Sequence, residues 1–300
     1  MNRQEFRLAS QAFVTWAGKI RCDGDGHLSP AGPGALAMLP IELAIPKSSK
    51  VAVAVRQRVP FFRLTQVYSW RPAGMTEGSF AETRARVEIL SRGITEARND
   101  AEALAACEDI LRWGGDRNSS VGALPFLRAQ PSVCRYLNAV KAYLAFEAAI
   151  VAPASGLRAV LAMNSMLTKV HAFNSGEGLP IYDSRVAGAI ATVIETWRCA
   201  EGRTEEPLSA ALLFPAVGAG GHRRSVHARY PGSVMPATLY YGTKRQSTMR
   251  ALRTAREWAS AKVRLGWLLS ELLEEPTASG IRSLEACLFM GGYDCASING

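Results

Sequence analysis

Two side chains carry most of the chemistry that this sequence offers. Lys169 stands in the run Met166-Leu167-Thr168-Lys169-Val170-His171. Asp183 stands in the run Pro180-Ile181-Tyr182-Asp183-Ser184-Arg185-Val186-Ala187, after a short Gly- and Pro-containing bend. The pattern predicts an amine and a carboxylate at the ends of two consecutive helices. That arrangement suits the cleavage of a sugar–base bond. Departure of the base builds positive charge on the sugar, and a fixed carboxylate near the anomeric carbon stabilises it. A neutral lysine goes further: it attacks the anomeric carbon and forms a Schiff base, which sets up strand cleavage. The amine must then have a lowered pKa, from burial or from a neighbouring cation, and Lys169 has Leu167 and Val170 beside it. Each residue also has an ordinary reading. A helical lysine is usually solvated, and Asp183 directly precedes an apolar-periodic helix, where aspartate is a favoured N-cap.

Thr168-Lys169-Val170 followed by Pro180-Ile181-Tyr182-Asp183-Ser184-Arg185-Val186-Ala187 resembles the helix-hairpin-helix DNA glycosylases, in particular the 8-oxoguanine glycosylase branch. The resemblance covers residues 168–187. It implies a mainly α, helix-hairpin-helix glycosylase-like fold and excision of a modified base from a flipped-out nucleotide. Lys169 falls at the family's nucleophile position and Asp183 at its catalytic aspartate, with Arg185 and Ala187 in the capped helix that follows. In the family a Leu-Pro-Gly-Val-Gly hairpin holds a DNA phosphate on its backbone N–H groups. This chain has Leu161-Ala162-Met163-Asn164-Ser165-Met166 there, so Asn164 and Ser165 are the residues left to meet a phosphate, with Thr168 and Arg185 as further DNA contacts. The Lys-to-Asp spacing is shorter than usual in the family, and the sequence lacks the Cys cluster of relatives with an iron–sulfur centre. No metal and no cofactor is expected. The implied substrate is an oxidised purine such as 8-oxoguanine, or a hypermodified phage base such as glucosylated hydroxymethylcytosine in anti-phage defence, with Schiff-base lyase activity as an accompaniment.

Such an enzyme extrudes its base, holds it between flat side chains and plugs the gap. Trp113 and Asn118, which border the Gly114-Gly115 loop, are candidates for the base pocket, as are Phe289 and Tyr293 near the C-terminus. All four also read as core or loop residues. The net charge of +9 favours an anionic partner, with duplex DNA first. His222, Arg223 and Arg224, with His227 and Arg229, form a basic cluster in an expected loop. Arg245, Arg250, Arg253, Arg256 and Arg264 fall on one side of an expected helix over Lys244–Leu273, opposite Leu252, Ala255, Ala259, Val263, Leu269 and Leu273. That face reads either as solvated or as a phosphate-tracking surface.

Positioning these groups requires helices. Amphipathic patterns predict helices over Asn2–Ile20, Phe80–Leu90, Asp100–Trp113, Val133–Val151, Leu157–Phe173, Ser184–Ala200, Lys244–Leu273 and Ser279–Met290. Residues 1–78 read as a helix followed by an irregular region with short strands, and 79–300 as the helical glycosylase-like domain. The alternating run Val51-Ala52-Val53-Ala54-Val55 suggests one short strand or part of a helix edge, with Phe61–Tyr68 as a candidate partner strand. Asp23-Gly24-Asp25-Gly26-His27 starts like a calcium loop, but Leu39 stands where the closing Glu belongs, so a polar turn is expected. Gly218 to Gly221 lacks the Walker Lys-Ser/Thr.

The six cysteines form no C-x-x-C pair and read as reduced core thiols. With no apolar h-region after Met1 and no long uncharged apolar run, a cytoplasmic protein with no membrane partner, acting as a monomer, is expected. Two other readings remain open: a non-catalytic DNA-binding protein on the same helices, and a helical interaction protein whose basic face meets an acidic partner.

Overall fold

The computed structural model describes every residue except 46, 49, 52–53, 73, 117–121, 148–158, 218–237, 240–247, 296–297 and 299–300. The protein is mainly helical with a few short strands. In chain order the described elements are α1 (Arg3–Ala17), β1 (Ile20–Cys22), β2 (Leu28–Pro30), α2 (Ala35–Met38), β3 (Pro40–Ile45), β4 (Val55–Pro60), a 3-10 turn (Phe61–Arg63), α3 (Phe80–Thr95), α4 (Asp100–Gly114), α5 (Ala123–Arg128) and α6 (Val133–Leu144). They continue with α7 (Leu167–Phe173), α8 (Ser184–Ala200), β5 (Ala216–Val217), β6 (Thr238–Leu239), α9 (Thr248–Leu272) and α10 (Ala278–Gly291).

Local sequence starts most of the long helices. Asn2, Ser79, Asn99, Ser132, Asp183 and Thr277 each cap a helix with a side-chain oxygen that accepts a first-turn N–H, and Asn2 completes a reciprocal box with Glu5. Tertiary packing decides where several helices stop. The Val133 helix ends at Leu144 rather than at Val151, because Ala145 turns extended. Phe146 is then held by Trp267, whose indole N–H donates to its carbonyl, and by Glu177, which accepts its N–H. Of the expected Leu157–Phe173 helix, the described residues are helical only from Leu167. The first helix stops at Ala17, where Gly18 takes a positive φ of 76°.

α9 is the central element. From Trp258 to Leu273 nearly every residue is buried, which marks a helix covered on all sides. α1 lies on it through Phe6 and Trp267, whose ring centroids are 5.5 Å apart. A bridge from Ile20 to Leu273 and another from Ile41 to Ile298 join the N-terminal strands to the C-terminal half. Residues 1–78 thus share one apolar core with the rest of the chain.

The strands differ from expectation. β4 pairs antiparallel with β3, from Ile45 opposite Val55 to Pro40 opposite Pro60. Phe61 to Arg63 is no partner strand but turns as a 3-10 helix that buries Phe61 and places Leu64 in the core, and among the described residues of the run Val51 bridges to Ser48 and Val55 pairs with Ile45. β1 and β2 form a hairpin around Asp23–His27, where the Asp23 carboxylate accepts from Asp25 N and His27 N; the polar turn is as expected. Among the described residues no helix is long and apolar enough to cross a membrane.

Candidate active site

Asn164 sets up the lysine. Its Oδ1 accepts from Met166 N at 2.9 Å and Leu167 N at 2.7 Å, so the chain enters α7 without the glycines of a hairpin. All seven residues of α7 are buried. Lys169, in its first turn, has only 7% of its surface exposed. Its Nζ donates to the Ser165 carbonyl at 2.7 Å. Burial pushes the amine below the ordinary lysine range; Asp183 opposes that and Arg185 adds to it.

Asp183 divides its carboxylate between two tasks. Oδ1 caps α8 by accepting from Arg185 N at 2.9 Å and Val186 N at 3.2 Å. Oδ2 stands 3.9 Å from Lys169 Nζ. That separation is too long for a hydrogen bond. The two form a long ion pair: the amine is close enough to feel the carboxylate, yet is not hydrogen-bonded to it.

Both groups open on one cleft of about 1160 Å³. It lies just above the roughly 300–1,000 Å³ usual for small-molecule sites. Ser165, Arg185, Trp113 and Phe289 line the same cleft. The Arg185 guanidinium sits 4.0 Å from the Tyr293 ring centroid, 4.6 Å from Phe289 and 4.7 Å from Trp70. Three aromatic faces orient it without a carboxylate, and among the described residues it makes no ion pair within 4.0 Å. Trp113 packs on Phe173 and is buried, and among the described residues its indole N–H has no hydrogen-bond partner.

Not every expected contact faces the cleft. Thr168 is fully buried, and its hydroxyl oxygen accepts from Tyr182 N, so its side chain cannot reach DNA. Asn164 is likewise buried, with its carbonyl oxygen engaged by the start of α7. Arg253 is exposed on α9, paired with Glu257 at 2.8 Å and away from the cleft. Arg264 leaves the expected basic face altogether: it is buried, donates to Ala210 O and packs its guanidinium 5.4 Å from the Phe214 ring centroid. Asn118, His222, Arg223 and Arg224 lie outside the described residues.

Glu285 belongs to the site as well, although no motif marks it in the sequence. This buried carboxylate lines the cleft. Its Oε2 accepts from Ile181 N at 2.9 Å and from Arg282 at 2.6 Å. Burial raises its pKa, against the pull of Arg282. Arg282 also donates to the Ala172 carbonyl at 2.7 Å, tying α10 to α7. A signal was present: a lone acid inside the apolar run Leu284-Glu285-Ala286-Cys287-Leu288 must find buried partners. Among the described residues, no group of three or more His, Cys, Asp or Glu side chains converges as a metal site would require.

Comparison with protein-family models, curated proteins and solved structures finds no match for this chain.

Proposed function

We propose that the protein is a DNA N-glycosylase of the helix-hairpin-helix type that excises a modified base from an everted nucleotide. The observation that carries this reading is the approach of the Lys169 amine to the Asp183 carboxylate inside an open cleft. The burial of Lys169 supports it, because an amine with a depressed pKa retains the neutral fraction that a nucleophile needs.

In this reading the C1′–N bond breaks and its electron pair leaves with the base, which takes up a proton. Asp183 Oδ2 stabilises the positive charge on the sugar. The neutral Lys169 amine adds to C1′ and loses a proton; the sugar ring opens to a Schiff base. Elimination of the 3′ phosphate and hydrolysis of the Schiff base then free the enzyme. In the same reading Arg185, stacked on aromatic rings and without a carboxylate partner among the described residues, meets a phosphate beside the everted nucleotide, and Trp113 and Phe289 meet the base. The spacious cleft suits either an oxidised purine or a bulkier modified pyrimidine.

The test is incubation with duplexes carrying 8-oxoguanine, glucosylated hydroxymethylcytosine and other modified bases, scored for abasic sites. Base release by the wild-type protein that is lost in Asp183→Asn supports the reading. Binding to every duplex with no release from any of them would favour a non-catalytic DNA-binding protein.

A further inference from the structure

A second lysine lies directly beneath the first. Lys262, on α9, is fully buried. Its Nζ stands 2.8 Å from the Thr168 carbonyl, 2.6 Å from the Pro180 carbonyl and 3.2 Å from Thr168 Oγ1. Thr168 adjoins Lys169, and Pro180 opens the segment that ends at Asp183. One amine therefore joins the turn that carries the nucleophile candidate to the segment that carries the carboxylate. Two further bonds run the same way. Tyr182 N donates to Thr168 Oγ1 at 3.1 Å, and Trp258, one turn before Lys262, donates its indole N–H to the Tyr182 carbonyl at 2.7 Å.

Lys262 Nζ donates to the Thr168 and Pro180 carbonyls and to Thr168 Oγ1, whose second lone pair accepts from Tyr182 N, so one amine spans both segments with all three of its donor directions engaged. Burial pushes this amine well below the usual lysine range. Arg282 on α10 and Lys169 on α7 reinforce the shift, and Glu285 on α10 opposes it.

We propose that Lys262 is a positioning residue: by bolting Thr168 to Pro180 it sets the separation between the Lys169 amine and the Asp183 carboxylate. Held at 3.9 Å, the two groups work side by side. Released, the lysine closes on the carboxylate, tightens the long ion pair into a hydrogen-bonded one and loses its neutral fraction. The catalytic meaning of this bolt rests on the glycosylase reading, but the bolt itself can be measured without any DNA.

The experiment labels the full-length protein with acetic anhydride from neutral to alkaline pH and follows acetylation of Lys169 by peptide mass spectrometry. It compares wild type, Lys262→Met and Thr168→Val, with melting temperatures in parallel. In Lys262→Met the pH midpoint for Lys169 labelling is expected to rise by about one unit, an approximately tenfold fall in labelling at neutral pH. Thr168→Val, which loses only the hydroxyl, should shift the midpoint the same way by less. A merely structural role lowers the melting temperature and leaves the midpoint in place; that result overturns the proposal. If Lys262→Met does not fold, an unchanged midpoint in Thr168→Val overturns it alone. Shifted midpoints with no base release from any duplex would reject the glycosylase reading and leave the bolt standing.

Discussion

Gly114 lies directly against the stem of Lys169: a methyl group at Gly114 would stand 2.8 Å from Lys169 Cδ and 3.1 Å from Met166 Sδ. Gly114 is the last residue of α4, and its helical backbone does not itself call for glycine. The space that it leaves is what lets Lys169 run under α4 to the Ser165 carbonyl. Gly114→Ala should therefore displace the amine more than it disturbs the fold. Alanine gains up to about 1 kcal/mol of helix propensity over glycine, which offsets part of the crowding. Single-turnover base release is expected to fall about tenfold or more, since small misplacements of reacting groups are costly. The melting temperature should hardly change.

Asp183 has one oxygen on the helix start and one toward Lys169, so its two tasks can be separated. Asp183→Asn keeps an acceptor for Arg185 N and Val186 N but removes the charge. It should abolish base release with little loss of stability. Asp183→Ala removes both and should add a stability loss of about 1 kcal/mol, typical of a lost N-cap. Chemical denaturation of the two variants, run beside activity assays, checks this. Equal stability of the two would contradict the capping role.

The buried amines give stability a defined pH dependence. Lys169 and Lys262 have folded-state pKa values below the unfolded lysine value. Between the folded and unfolded values the unfolded chain binds more protons, so their contribution to stability grows as pH rises through that window. Protonation as pH falls through the folded values makes burial costly. Lys169→Met should flatten the alkaline rise and stabilise the protein at neutral pH, by up to about 1 kcal/mol, while ending any reaction that needs the amine. Denaturation midpoints measured from neutral to alkaline pH read both effects. A steeper rise in Lys169→Met than in wild type would count against a depressed amine.

Arg185 is held by ring faces rather than by an acid, so its charge is available to an anion. Arg185→Gln should weaken duplex binding across sequences and reduce the slope of log affinity against log salt by about one. Arg185→Lys should recover the slope but not the full affinity, because a lysine lacks the planar group that stacks on Tyr293 and Phe289. Fluorescence anisotropy at several salt concentrations distinguishes these outcomes.

The fold was legible in the sequence where local chemistry sets it. α8 runs over Ser184–Ala200 as expected, because Asp183 supplies the cap and the apolar period continues unbroken behind it. α4 and α10 likewise start close to their expected first residues. Legibility failed where distant contacts override local preference. The apolar stretch beyond Leu144 carries a helical pattern, yet Trp267 and Glu177 hold Phe146 out of the helix. The three-residue strands β1 and β2 are too short to show alternation and are fixed by the bridge to Leu273. At the candidate site, the runs around Lys169 and Asp183 marked the two residues that approach one another. Of the supports beneath them, Glu285 stands as one charge in an apolar run, whereas Lys262 is followed two residues later by Arg264 and reads as part of a charged face. Nothing in periodicity alone names the carbonyls and amides that receive them.

The most direct test of the central claim is borohydride trapping on a duplex containing an abasic site, with peptide mapping of any adduct. This substrate needs no knowledge of the excised base. The account predicts a covalent protein–DNA adduct at Lys169 that disappears in Lys169→Gln. An adduct mapped to another residue, or one that persists at wild-type level in Lys169→Gln, would contradict it.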